Sequence, residues 1–200
     1  MNKYNPQIHH RRSIRLKGYD YSQAGLYFIT ICVKNRECLF GRIADGKMIL
    51  NDAGQMIEKW YYELENKFHD IKNHEMVVMP NHFHCIIENV GSTVGADLRV
   101  CPDNKTNKQI ISGEQISGEH VGSPLHRVVQ WFKTMITNEY IRGVKYTNWK
   151  PFNGKLWQRN YWEHIIRNEK SYQSISDYIR NNPLKWDEDK FNSSNMEKIK

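Results

Sequence analysis

Apolar residues run unbroken from Leu26 to Val33 (LYFITICV), rich in β-branched and aromatic side chains. A run of that length with no polar face predicts a central strand covered on both sides. Asp45-Gly46, between Arg42–Ile43 and Met48–Leu50, is a two-residue turn signal and predicts a short hairpin. Met56, Trp60, Leu64 and Phe68 recur at steps of four, the stripe of an amphipathic helix ending near Lys67, with Asn51 or Asp52 available as its cap. Short strands are expected at Met76–Met79 and His82–Glu88, separated by a bend at Pro80-Asn81.

The pattern then lapses. Gly91 to Gly122 is rich in glycine, poor in large apolar residues, and carries a near-repeat, Ile111-Ser112-Gly113-Glu114 and Ile116-Ser117-Gly118-Glu119. It reads as a flexible insertion, because loops of this length without structure are uncommon in compact domains. Ser123-Pro124 restarts order as an N-cap with proline at the first helical position. Val128, Val129, Phe132, Met135, Ile136 and Tyr140 keep a helical period, with Gly143 expected to stop the helix. Two more helical segments are expected, Tyr161 to Arg167 and Ser171 to Asn181, the second ended by Asn182-Pro183. Strands mixed with helices without strict alternation predict an α+β fold, an antiparallel sheet with helices packed on one face. The expected organisation is one domain over residues 1–186, including a basic arm over 1–24 and the insertion 91–122, and then a polar, frayed tail over 187–200.

Charge and composition narrow the class. Lys and Arg number 29 against 22 Asp and Glu, a net charge of +7, and aromatics make up 12% of the chain. Mean hydropathy is −0.75, and no run approaches the roughly 18 apolar residues of a spanning helix. No membrane is expected as a partner, and the start of the chain is too polar for a signal peptide. Cys32, Cys38, Cys85 and Cys101 form no CxxC pair, so neither a zinc ribbon nor a disulfide framework is indicated. A basic, aromatic-rich chain leans towards nucleic acid.

His82-Phe83-His84 is the sharpest local feature. In a strand, residues two apart share a face, so two imidazoles stand side by side while Phe83 enters the other layer. Imidazole pairs suit divalent transition metals. A histidine-triad hydrolase would need a third histidine two residues further on, where Ile86 stands instead. The second constellation is Tyr161-Trp162-Glu163-His164. On a helix Tyr161 and His164 would share a face. A tyrosine near a metal or beside Arg159 and Arg167 can be a nucleophile, although its phenol ordinarily titrates near 10. Tyr172 and Tyr178 lie further along and compete for that role.

At these residues the chain resembles the REP-associated tyrosine transposases, relatives of the single-strand insertion-sequence transposases in the HUH endonuclease superfamily. The resemblance is carried by Arg11-Arg12-Ser13-Ile14-Arg15-Leu16 with Gly18-Tyr19-Asp20, by Tyr27 to Ile31, and by Asn35 to Gly41. It is carried most tellingly by Val77 to His84, by Trp157 to Arg167, and by Tyr178-Ile179-Arg180-Asn181-Asn182-Pro183. It implies a ferredoxin-like fold, with the two histidines on a central strand and a nucleophilic tyrosine on a C-terminal helix. It also implies Mg²⁺ or Mn²⁺, and single-stranded DNA with an imperfect hairpin as substrate. The expected site has His82, His84 and His164 as metal ligands and Tyr161 as nucleophile, forming a 5′-phosphotyrosine intermediate. Arg11, Arg12, Arg15, Lys17, Arg159 and Arg167 are expected on the DNA; for Trp131 and Trp157, base stacking stands against the commoner role of core packing. The expected location is the cytoplasm, in association with the nucleoid, as a monomer or homodimer. The rival reading is a non-catalytic DNA-binding protein or repressor with the same fold. A rolling-circle initiator would need more domains than this chain holds.

Overall fold

The computed structural model describes residues 19–21, 23–91 and 124–192. Its strands are β1 (Gly25–Cys32), β2 (Gly41–Ala44), β3 (Lys47–Leu50), β4 (Ile71–Met79), β5 (His82–Asn89) and β6 (Trp162–Ile166). Its helices are α1 (Asp52–Lys67), α2 (Pro124–Tyr146) and α3 (Glu169–Asn181), followed by a 3-10 turn at Pro183–Glu188. The main sheet has the order β4-β5-β1-β6 and every pairing in it is antiparallel. Setting aside the β2–β3 hairpin, the chain runs β1-α1-β4-β5-α2-β6, which with that strand order is the ferredoxin-like arrangement. Among the described residues no helix is long and apolar enough to cross a membrane.

The apolar run at Leu26–Val33 becomes central because β1 pairs on both edges, with β5 and with β6. The hairpin forms at Asp45-Gly46, where both residues take positive φ, 51° and 68°, as a two-residue turn with matching twist requires. Asn51 caps α1, its side chain accepting the Gly54 N–H. The α1 stripe and the apolar face of α2 cover one side of the sheet, burying Tyr27, Ile29, Ile31, Phe83 and Cys85 with Tyr61, Leu64, Phe132 and Tyr140. The third helix takes the other side, where Ile86, Ile166 and Ile179 form a smaller cluster. The helices therefore lie on both faces: α1 and α2 fill the face expected for them, and α3 is an addition to the opposite one.

Three local expectations are corrected. The segment Tyr161 to Arg167 is the edge strand β6 rather than a helix, because its backbone groups pair with β1 from Leu26 to Thr30. Gly143 does not stop α2, which continues to Tyr146. A side chain there would press against Trp149, a built Cβ lying 2.2 Å from the indole, so the glycine serves close packing. Over the described part of the expected frayed tail, residues 187–192, the chain packs back onto the fold, with Phe191 and Asn192 each 6% exposed. At the other end, Tyr19 and Tyr21, within the span expected as an arm, pack edge-on and stacked against Tyr27. The rest of that arm, with Arg11, Arg12, Arg15 and Lys17, lies outside the described residues, as does the insertion beyond Gly91.

Candidate active site

Strand parity builds the site. On β5 the odd residue Phe83 meets Tyr61 and Phe132 in the large core, which turns His82 and His84 towards α3. Both are fully buried, with ring centroids 4.6 Å apart. Asn81 fixes the first imidazole. Its Nδ2 donates to the carbonyls of Arg36 and Phe191, so its Oδ1 is left to accept, and it takes the His82 Nδ1–H at 2.8 Å. His82 Nε2 therefore carries the lone pair, and among the described residues this buried atom meets no hydrogen-bond donor in good geometry. Across the sheet, Thr30 Oγ1 lies 2.7 Å from His84 Nδ1 and leaves Nε2 of that ring facing the same space. A ligand imidazole oriented through its second nitrogen is the usual support of a metal site.

Electrostatics keep the pair neutral. Burial, reinforced by the Arg36 charge, pushes His82 down to about 3. Burial, with His82 and Lys190 nearby, holds His84 well below the ordinary histidine range. Neutral imidazoles are the metal-binding form.

The third group follows the 3-10 turn. Among the described residues, His82, His84 and Asp189 form a cluster whose ligand atoms all lie within 4.8 Å of one another. Asp189 Oδ1 accepts the Phe191 N–H, and its Oδ2 stands 3.9 Å from His82 Nε2. The buried Asn182 side chain adjoins both His82 and Tyr178, and among the described residues its Oδ1 accepts no hydrogen bond. Two imidazole nitrogens, a carboxylate and an amide oxygen form a donor set suited to a divalent cation of the Mn²⁺ or Mg²⁺ kind. Trp186 and Phe191 close over His82 at ring distances of 6.1 Å and 4.7 Å.

Helix α3 brings a tyrosine to this centre. Tyr178 Oη lies 3.3 Å from His84 Nε2, and its ring meets His84 and Phe28 edge-on. Burial, with the Asp189 charge beside it, raises the phenol above its ordinary value. The helix is tied to β4 by Glu75, which accepts from Tyr172 Oη and pairs with Arg180. Tyr172 also approaches His74, which pairs with Glu88. Tyr172 is thus engaged at the sheet's other edge, away from the histidine pair.

The other expected site residues sit elsewhere. Because Tyr161 and His164 flank and enter a strand, three positions apart means opposite faces. Tyr161 is packed in the large core, stacked on His126 at 6.4 Å. It is on the wrong side of the sheet to reach His82 or His84. His164 is exposed on the histidine side but pairs with Phe28, which leaves β1 between it and β5. Among the described residues, Asp189 rather than His164 stands with the histidine pair. Arg159 and Arg167 are exposed at the two ends of β6. Trp131 and Trp157 pack in or against the core; the exposed indole is Trp162. An open groove of about 780 Å³ runs from His84, Thr30 and Tyr178 towards Trp162, His164 and the first turns of α3.

No protein-family model matches the chain. An uncharacterised protein of Haemophilus influenzae is 41% identical over 191 residues, covering 94% of this chain and 96% of that protein. A second H. influenzae protein, provisionally named a REP-associated tyrosine transposase, is 23% identical over 83% of this chain and 74% of its own length. Among solved structures, a REP-associated tyrosine transposase bound to a REP hairpin is 22% identical, with a TM-score of 0.48 over 92% of this chain and 74% of that one. A Deinococcus radiodurans protein provisionally described as a transposase is 14% identical, with a TM-score of 0.42 over 84% of this chain and 95% of that one. The chain belongs to one family with the 41%-identical Haemophilus protein and is similar, at 23% identity, to a protein provisionally named a REP-associated tyrosine transposase.

Proposed function

We propose that this protein is a metal-dependent endonuclease and strand transferase of the HUH type, a transposase acting on single-stranded DNA with a hairpin, and that Tyr178 is its nucleophile. The observation that carries the reading is the 3.3 Å approach of Tyr178 Oη to His84 Nε2, beside a buried, neutral histidine pair. The provisional name of one relative, 23% identical, supports the same class.

His82, His84 and Asp189 would hold the cation, with Asn182 in reach of it. Held there, Mg²⁺ or Mn²⁺ supplies a Lewis acid that polarises the scissile phosphate. Asn81 and Thr30 keep both imidazoles turned for that task. Tyr178, 40% exposed, can meet a phosphate from the groove while its ring stays seated between Phe28 and His84. Attack forms an Oη–P bond and breaks the bond from phosphorus to the 3′ oxygen. The phenolic proton ends on the released 3′ hydroxyl, and the 5′ phosphate stays on the protein. The raised phenol means that Tyr178 waits in its neutral form until a cation or base favours the phenolate.

The test is incubation with labelled single-stranded hairpins drawn from the DNA flanking its own gene, with and without Mn²⁺. The expected result is a covalent adduct that survives denaturation, needs the cation, and maps to the peptide containing Tyr178. Cleavage without any adduct overturns covalent catalysis, and an adduct on Tyr161 or Tyr172 overturns the residue assignment.

A further inference from the structure

The register of the sheet sets Trp162, Thr30 and His84 in one row, since Thr30 pairs with Trp162 on one side and with His84 on the other. Paired residues present their side chains to the same face. The Trp162 indole therefore stands on the histidine side, two strand spacings from His84, or roughly 10 Å. It is 61% exposed, on an edge strand, at the mouth of the groove that contains Tyr178. A large apolar ring left in water there is not used by the core.

The groove around it suits a polyanion. Lys190 lines the end near His84, and Lys170 lines the first turn of α3, both exposed to solvent. Glu163 is the acid among the lining residues, and both of its carboxylate oxygens are withdrawn from solvent. Accessible charge in the groove is thus positive, with an aromatic face between the lysines and the exposed ring of His164. A flat indole flanked by cations is the pairing that holds unpaired nucleotides, the base on the ring and the phosphates on the charges.

We propose that this groove is a nucleotide subsite in which Trp162 stacks an unpaired base adjoining the scissile phosphate, with Lys170 and Lys190 on the neighbouring backbone. The assignment rests on the single-stranded DNA reading above, and it selects Trp162 rather than Trp131 or Trp157 as the stacking platform. The occupant is sequence-tolerant at this position, because every base offers a π face.

The experiment uses the full chain and a fluorescently labelled oligothymidylate of about twelve nucleotides, which spans one such site. Trp162→Ala should weaken binding by about 5- to 100-fold, and Trp162→Phe should recover most of the loss. Lys170→Glu should weaken binding and flatten its salt dependence by about one ion. A duplex of the same length should not distinguish Trp162→Ala from the parent. Unchanged oligothymidylate affinity in Trp162→Ala overturns the proposal, and so does a changed sedimentation mass in that variant, which would make the indole a contact between copies of the chain. Adduct formation on Tyr178 is read separately, so a failed stacking site leaves the nuclease reading standing, and a missing adduct leaves the stacking result interpretable.

Discussion

Tyr178 and His84 meet across the seam between α3 and the sheet, hydroxyl to Nε2 at 3.3 Å, while Tyr161 lies behind the sheet against His126. The two tyrosines therefore make opposite predictions. Tyr178→Phe keeps the ring seated against Phe28 and removes only the attacking oxygen. It should cost about 10⁴-fold or more in cleavage, the scale of a lost nucleophile, with DNA affinity retained. Tyr161→Phe should leave cleavage and adduct yield near the parent level. Single-turnover cleavage of a labelled hairpin checks both.

Asn81 orients His82, and through it the proposed cation site. Asn81→Ala removes the acceptor for the Nδ1–H and frees the carbonyls of Arg36 and Phe191 from their shared donor. Loss of such an orienting contact should weaken the cation by about 10- to 100-fold. A Mn²⁺ titration of cleavage, together with direct Mn²⁺ binding by electron paramagnetic resonance, should show the same shift in both readouts. An unchanged titration would remove Asn81 from the site's support.

Acid should destabilise the fold through the histidine pair. Unfolded histidines titrate near 6.5, whereas burial takes His82 down to about 3 and depresses His84 as well. Between those values the unfolded chain binds more protons, so this contribution is complete above about pH 6.5 and declines as pH falls. The urea midpoint of the metal-free protein should be flat from pH 8 to 7 and drop from about 6.5 to 4.5. His82→Asn should shrink that drop, and an equal drop in the variant would refute the neutral, buried state.

Tyr61 holds the irregular part of β4. Its hydroxyl donates to Ile86 O at 2.8 Å and accepts the His74 N–H at 3.1 Å, inside the register shift between Asn73 and Met76. Tyr61→Phe leaves both backbone groups without that partner and should cost about 1–3 kcal/mol in urea unfolding. Because His74 and Glu75 anchor α3, the same variant should also loosen Tyr178 and slow cleavage.

Much of this was legible in residues of strong local character. LYFITICV, the Asp45-Gly46 turn and the Met56–Phe68 stripe each carry a period or turn that tertiary contacts did not override. The HxH needed only strand parity to place both imidazoles together. The segment around Tyr161 was ambiguous because Tyr161 and His164 fit a helical spacing while Trp162, His164 and Ile166 fit an alternating one. Pairing with β1 decided for the strand and sent Tyr161 into the core. Asp189 had no local signal at all: it lies in a polar stretch, and only the turn at Pro183–Glu188, which carries the chain back over β5, brings it to His82. Tyr178 was visible in the motif ending at Asn182-Pro183, but its distance to His84 depends on the Glu75 anchor.

The return of residues 182–192 over β5 has a consequence for the order of assembly during synthesis. Everything that defines the sheet is made before this stretch emerges, yet Asn182, Asp189 and the covering rings of Trp186 and Phe191 all lie within it. On the proposed reading, a nascent chain can present the paired histidines and the tyrosine of α3 while the carboxylate and the covering rings of the cation site are still unmade, so competence to cut DNA waits for residues 182–192 rather than for the sheet.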